Sequence, residues 1–424
     1  MTALLGLAAR SAWNRRQTLA LVVLSIALAT LLLQTVDRVR NDVRESFSQS
    51  VSGTDLVVGA RTGPVQLMLY AVFHLGGATN NIHMSSLQAI AQHRAVDWVV
   101  PLSLGDSHRG YSVLGTTADY FQRFRYGDRD ALAFSEGHAF AGDLDALYDA
   151  VVGAEVAQAL GYRLGQKIVL AHGAGAIPGA EHADKPFTVV GILARTGTPV
   201  DRTVHVSLQA IEAIHLDWAG GAPMRGVHIA PDEARKFDLA PKLVTAALVG
   251  LKSRAAAFAV QRWVGDYAGE PLMAVLPGVA LDELWQVVGV GEKVLLALSA
   301  IVALVSLAGL VAVVLAGLNE RRRELAVLRA VGAGPRHVLL LLAGEGALVT
   351  VLGALIGVLA TVLLIGVAGP WIQSQFGVVL KLSAPAESQW ALLAGVVATG
   401  WLASLVPGWR AYRLSLADGL SPRT

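Results

Sequence analysis

The sequence predicts a membrane α-helical protein with four transmembrane helices and a large mixed α/β extracytoplasmic domain inserted between helices one and two. Three observations predict it. The 424 residues are 54% hydrophobic and only 16% charged, too apolar and too charge-poor for a typical soluble chain of this length. Four runs are long and apolar enough to cross a bilayer. The interval between the first two runs instead shows strand-like and helical patterning broken by turn residues.

Crossing the hydrocarbon core takes about 20 apolar residues in a helix, because every backbone polar group there must be paired internally. Residues 17–36, 294–319 and 388–409 contain no charged side chain, and 338–369 contains only Glu345. The first run follows Arg10, Arg15 and Arg16 and includes the A-x-A match Ala27, Leu28, Ala29, so a cleaved signal peptide is the competing reading. The apolar stretch continues to Val36, past the ~7–15 residues of a signal core, and retention is expected.

Orientation follows from Lys and Arg near the span ends, which stay cytoplasmic. Arg10, Arg15 and Arg16 precede the first span, and Arg321, Arg322, Arg323, Arg329 and Arg336 lie between the second and third. Arg410, Arg413 and Arg423 follow the fourth, while the loop between the third and fourth holds only Lys381. The expected organisation is a cytoplasmic N-terminus and helix one in 1–36, an outer domain in 37–290, helix two in 291–319 and a cytoplasmic loop in 320–337. Helix three then takes 338–369, a short outer loop 370–387, helix four 388–409 and a cytoplasmic tail 410–424.

Within the outer domain, 37–50 is a charged, helix-compatible exit from the first span, and 64–75 and 85–94 look helical. Strands are expected at 55–60, 98–104, 111–114, 167–171, 187–193, 203–206, 227–230 and 272–276. Gly-rich punctuation at 172–180 marks an exposed loop. Lobe boundaries are expected near Thr116 and Met224, and the amphipathic segment 281–293 is expected to run on into the second span as a stalk.

Several chemistries are excluded or weakened. The balance of 34 Lys+Arg against 32 Asp+Glu argues against a nucleic-acid binder. No cysteine occurs, which removes disulfides, zinc–thiolate sites and a cysteine nucleophile. There is no G-x-x-x-x-G-K-S/T phosphate loop, no H-E-x-x-H and no G-x-S-x-G. A non-catalytic chain that binds no cofactor of its own is therefore expected.

Histidine is the one candidate for site chemistry. Ten of the eleven lie in 37–290, and imidazole is a common zinc or copper ligand. His138, His172 and His182 are the candidates. The latter two flank HGAGAIPGAEHADKP together with Glu181 and Asp184, where they could clamp a metal or change charge with pH. Tight ligand spacing is missing, so scattered solvent-exposed histidines are the weightier reading and no resident metal is expected.

Between spans two and three, residues 320–331 place Leu325 and Leu328 at helical spacing, with Arg321 and Arg322 a turn earlier, which gives an apolar ridge with a charged rim. Gly332 and Gly334 would stop that helix and Pro335 would begin span three. On these residues alone, arginines that only set topology would suffice. However, the run from Asn319, NERRRELAVLRAVGAGPRHVLLLLAGEGALVTVLGALIGVLA, resembles the signature of the MacB/FtsX-type ABC transporter permeases. So do LAARSAWNRRQTLALVVLSIALAT, VVGAEVAQALGYRLGQKIVL, FTVVGIL and PGWRAYRLSLADGL, which together cover most of the chain in order.

The resemblance implies a bacterial inner-membrane permease with a MacB-like periplasmic core domain. Its coupling helix, carried by Glu324, Leu325, Leu328, Arg329, Ala330, Gly332 and Ala333, would dock into an ABC ATPase subunit that holds ATP and Mg. A second permease copy or paralogue, and a periplasmic adaptor or lipoprotein, are the further partners implied. The implied work is export or extraction of a lipid, lipoprotein, peptide or hydrophobic compound. The alternative is an FtsX-like mechanical signalling role that controls an envelope partner without transport, and a weaker third option is a histidine-based ion sensor.

In span three, Gly346, Thr350, Gly353 and Gly357 recur at spacings of three and four. Small residues of this kind let helices approach closely, either within one subunit or across a dimer seam. Glu345 is a carboxylate inside a span, where a structural or coupling role is favoured over proton relay.

Overall fold

A computed structural model describes residues 16–77, 80–173, 181–219, 222–224, 226–320, 327, 329–330, 332–376, 380, 382 and 384–413. Its residues fall into two compact units, one helical and one built on a sheet, the sheet unit taking in 43–287.

Among the described residues, four helices are long and apolar enough to cross a membrane: Arg16–Gln49, Pro277–Glu320, Pro335–Phe376 and Glu387–Arg413. Three of them run well beyond the apolar stretches read from sequence. One helix takes in both the 281–293 segment and the second span, since no Gly or Pro signal strong enough to break it intervenes. The third helix begins at Pro335, where a missing backbone N–H costs nothing. Just before it, Gly332 sits at φ +104°, a conformation open to glycine and strained for other residues.

The outward surfaces of these helices carry exposed Leu21, Leu24, Val305, Leu348, Leu363 and Trp401, as suits a lipid solvent. Helices one, two and three share a packed apolar cluster that includes Ile26, Leu310 and Leu342, and because lipid is itself apolar, small residues and hydrogen bonds add the close contacts that hold helices together. On the third helix, a Cβ at Gly353 would lie 2.8 Å from Ile26 Cβ, and one at Gly357 would lie 2.6 Å from the Ala27 carbonyl oxygen. The same helix meets the fourth through Gly346 against Ser404 and Thr350 against Gly400. Helices one and four are also joined by buried amides: Gln34 Nε2 donates to the Gln389 carbonyl at 2.9 Å, and Gln389 Nε2 donates back to the Gln34 carbonyl at 3.4 Å. Ser388 Oγ donates to Asp37 Oδ2 at 2.8 Å.

The sheet unit is organised by eleven strands in one hydrogen-bonded network. Its main path runs Leu272–Val275, Leu56–Ala60, Ala246–Leu251, Val96–His108, Tyr111–Thr116, Thr203–Ser207, Asp149–Val152, Phe187–Leu193, Phe134–Gly137. Most neighbours are antiparallel. Thr203–Ser207 runs parallel to Tyr111–Thr116, and Phe187–Leu193 parallel to Asp149–Val152. The first strand has both its neighbours at the far end of the domain: Leu56 is opposite Val249, and Val57 opposite Val275. The strand Val96–His108 serves both halves of the network, pairing with Ala246–Leu251 in its first part and Tyr111–Thr116 in its second. Helices Met84–Ala91, Ala154–Leu160, Leu208–His215 and Ala257–Gly265 cover the strands, and three apolar clusters that include fully buried Phe140, Phe187 and Leu56 fill the interior.

Several expectations change. The strand at 98–104 continues to His108, and 167–171 divides into Lys167–Ile168 and Ala171–His172, which pair with different partners. Residues 227–230 form no strand. There the Ile229 N–H donates to Asp217 Oδ2 at 3.1 Å, and Ala230 caps a short helix begun by Pro231, so no ladder can form. The helix at 64–75 stops at Ala71, and the chain leaves through His74 at φ +55°. No lobe boundary falls at Thr116, because its strand is paired on both sides.

Candidate functional site

Of the expected docking segment, Glu324, Leu325 and Leu328 lie outside the described residues. Arg329 and Ala330 are helical, the Gly332 N–H donates to the Arg329 carbonyl at 3.1 Å, and Ala333 leads towards Pro335. Glu345 is half-buried on the third long helix. Gly353 and Gly357, on the same helix, lie against the first.

The histidines separate. His138 is exposed and its Nδ1 donates to the Ala139 carbonyl at 2.8 Å, away from the other two candidates. His172 and His182 come together, and two residues not singled out from the sequence join them. The four side chains Asp106, His172, His182 and His215 bring one donor atom each to within 4.8 Å of one another.

Local structure explains the convergence. Asp106 sits where the ladder of Val96–His108 with Tyr111–Thr116 shifts register, between Leu104 and Ser107. Gly105, at φ +151°, permits this break, and bulges of this kind redirect side chains. Here the inside–outside alternation fails and Asp106, Ser107 and His108 are buried in succession. His172 stands opposite Asp106 on an added strand, Ala171–His172. His182 follows an isolated bridge between Ala171 and Glu181, and its N–H donates to the Leu170 carbonyl at 2.8 Å. His215 ends the helix Leu208–His215, whose Ser207 accepts from the Ala210 N–H as an N-cap.

Asp106 Oδ1 lies 3.1 Å from His172 Nδ1 and 3.5 Å from His215 Nε2, and those two nitrogens are 3.1 Å apart. His215 Nδ1 is 2.8 Å from the Ile211 carbonyl. It must donate there, so Nε2 presents a lone pair to the cluster in the neutral ring and donates to Asp106 in the protonated one. His182 is fully buried, and among the described residues neither of its ring nitrogens has a partner. The Trp218 ring packs on it with centroids 4.3 Å apart.

The electrostatics follow. Burial pushes the Asp106 carboxyl up, but hydrogen bonds from His172 and His215 and the surrounding imidazoles outweigh it and bring the pKa down to about 2. Burial, then the neighbouring His215, lowers His182 to about 4. For His215 burial works downward, yet its hydrogen bond and charge interaction with Asp106 leave it raised. The arrangement offers three imidazoles and one ionised carboxylate converging on a point.

A second group, Asp184, Asp217 and His228, lies alongside. Here a cation is already present: the fully buried Lys185 ammonium donates to Asp184 at 2.7 Å and to both oxygens of Asp217 at 2.9 Å. Lys185 thus ties the turn that carries His182 to the segment just after His215.

Four membrane-length helices together with a mixed sheet domain define the class as an integral membrane protein carrying a large non-membrane domain. Residues 18–264 match the MacB-like periplasmic core domain, and residues 296–416 match the FtsX-like permease C-terminal region. The chain belongs to the MacB/FtsX-type permease family, and with that membership comes an ABC transporter permease-type role. Family members are typically non-catalytic transporter components that work with ABC ATPase partners.

Two solved structures are similar. One is the periplasmic region of MacB from Actinobacillus actinomycetemcomitans, at 11% identity over 57% of this chain and 95% of that one, with a TM-score of 0.34. The other is the extracellular domain of the noncanonic ABC-type transporter YknZ from Gram-positive bacteria, at 13% identity over 52% and 98%, with a TM-score of 0.31. No curated protein matches the sequence.

Proposed function

We propose that this chain is the permease subunit of an ABC transporter in a bacterial inner membrane. Both termini and the segment around Glu324–Ala333 face the cytoplasm, and the sheet unit lies outside. The observation that carries this reading is the order of the two family matches along a chain with four membrane-length helices. A separate ATPase subunit supplies ATP and Mg, and four helices per chain imply a second permease copy or paralogue to complete the membrane part. ATP-driven closure of the ATPase pair moves the docking segment, and the helices Arg16–Gln49 and Pro277–Glu320, which continue past their apolar stretches, carry that movement outward. The cargo is a lipid, lipoprotein, peptide or hydrophobic compound.

Co-purification with the cognate ATPase tests the docking assignment. Glu324→Arg and Leu328→Asp are each expected to abolish association and stimulation of ATP hydrolysis; retention of both properties in both variants would refute it. In proteoliposomes, ATP-dependent release of a labelled lipid or lipoprotein supports transport. Stimulation without release of any such cargo supports mechanical control of an envelope partner instead.

A further inference from the structure

We infer that Asp106, His172, His182 and His215 form a binding site for one divalent transition-metal ion, with Zn2+ the occupant whose preferences the four donors match best. The inference stands independently of the permease reading, since it needs only the sheet unit.

Distance is the first support. Zinc bonds to imidazole nitrogen and carboxylate oxygen are about 2.0–2.2 Å, so a tetrahedral site separates adjacent donor atoms by roughly 3.3–3.5 Å. The three separations among Asp106 Oδ1, His172 Nδ1 and His215 Nε2 are 3.1, 3.1 and 3.5 Å, close to that triangle. His182 supplies the fourth donor within the same 4.8 Å limit. The donor set is also selective, because calcium and magnesium favour shells built from oxygen, whereas imidazole-rich sets suit zinc and its neighbours in the first transition row.

Direction is the second support. Metal-bound histidines commonly donate their other ring N–H to a carbonyl or carboxylate, which fixes the tautomer. His215 does this with the Ile211 carbonyl, so in its neutral form Nε2 carries the lone pair a metal needs.

His182 decides between this reading and its rival. A metal-free hydrogen-bond network, with His172 Nδ1–H shared between Asp106 and His215 Nε2, accounts for three of the four side chains. It leaves His182 fully buried, its two ring nitrogens unpaired among the described residues, and packed on Trp218. Buried polar atoms without partners are rare because their lost hydration goes uncompensated. A metal ion coordinated by His182 removes that deficit at one nitrogen and gives the convergence of the other three a purpose. The His172 and His215 side chains are 38% and 27% exposed, while that of Asp106 is 4% exposed, so the group reaches the surface at these two histidines.

The neighbouring Asp184 and Asp217 already share the Lys185 ammonium, which offsets one of their two charges. The part of Lys185 is to hold the segments of His182 and His215 in place. The bound ion would join the bulge of a central strand, the added strand Ala171–His172, the turn at His182 and the end of one helix.

The test uses the full-length chain in detergent, purified without a polyhistidine tag, stripped with a chelator and then reloaded with Zn2+ alone. Elemental analysis is expected to find one zinc per chain, and the Co2+-loaded protein is expected to show the intense visible absorption of tetrahedral coordination. His182→Ala and Asp106→Asn should each weaken zinc binding, read by chelator competition, by more than the about 10–100-fold that outer-shell changes cost. His138→Ala should keep the full equivalent. His172→Gln, at a partly exposed position, gives the same reading if His182→Ala fails to fold. No zinc above background in the unaltered chain, or equal retention in His172→Gln and Asp106→Asn, would overturn the site. Neither outcome bears on ATPase association, so the two proposals fail separately.

Discussion

The helical unit and the sheet unit solve the packing problem in different ways. The third long helix packs Val338, Leu342 and Val349 into an apolar cluster but closes on the first helix by deleting side chains, with Gly353 and Gly357 admitting its backbone and side chains to distances that any Cβ would violate. The sheet unit makes its contacts by filling space with Phe140, Phe187, Leu56 and other large apolar groups. The difference lies in the solvent each is built for. Water rewards apolar burial in proportion to area, whereas lipid tails are as apolar as leucine and leave close approach and hydrogen bonding to hold helices together. Both units bury charge, Asp37, Arg38 and Asp42 in the helical one and Lys185, at 0% exposure, in the sheet unit.

The sharpest way to break that comparison is to remove the charge from the sheet unit. Lys185→Ala leaves Asp217 buried beside Asp184 with no cation, and loss of one partner of such a pair costs about 3–5 kcal/mol. A large fall in the denaturation midpoint of the purified chain is expected; an unchanged midpoint would mean that the sheet unit does not depend on this ion pair. Burial alone would raise the Asp217 carboxyl, but Lys185 and the Ile229 N–H hold it below the usual range. Its contribution to stability is accordingly present above the unfolded carboxylate pKa and fades as the pH falls through the folded value.

The helical counterpart is Gly357→Val set beside Gly366→Val on the same helix. At position 357 the new side chain meets the Ala27 carbonyl and Thr30, while at 366 nothing lies within 4 Å. Overpacking of this kind costs about 1–3 kcal/mol, so thermal stability in detergent should fall for the first variant and hold for the second. Equal behaviour would remove the contrast between the units.

A smaller effect follows from pH. His205 is fully buried between Tyr120 and Phe121, and burial, with His74 nearby, lowers its pKa from 6.5 to about 3. Below pH 6.5 the unfolded chain takes up a proton that the folded chain refuses. The stability from this group is thus complete above 6.5 and declines as the pH falls towards 3, by up to about 1.4 kcal/mol per pH unit. His205→Phe should flatten that part of the stability–pH curve, measured by chemical denaturation between pH 7 and pH 5. A curve of unchanged slope would assign the acid sensitivity to other groups.

The four membrane-length helices were legible in the sequence because transfer into lipid is demanded of each segment by itself, with no help from distant residues. The strand Phe187–Leu193 is legible for a similar reason, since its β-branched and apolar residues form a short run of strand length within the segment itself. The metal-binding candidates were legible only in part. His172 and His182 drew attention by flanking one Gly-rich loop, but Asp106 and His215 lie 66 and 43 residues from His172, and only the strand order brings them close. Two faint signals existed: a Gly-Asp pair in the middle of an apolar strand, which indicates a bulge, and a histidine closing an amphipathic helix. Residues 227–230 have the apolar pattern of a strand, but the backbone donor of Ile229 is claimed by a carboxylate twelve positions earlier.

The placement of the first strand has a consequence for the chain during its synthesis. Leu56–Ala60 leaves the ribosome early, but both strands that flank it, Ala246–Leu251 and Leu272–Val275, are translated last in the domain. Until then a segment buried along almost its whole length in the finished protein has two open edges, a condition that invites pairing with other chains. Pairings so distant in sequence also close slowly. The nascent chain therefore passes most of the domain's translation time with its first strand in need of protection.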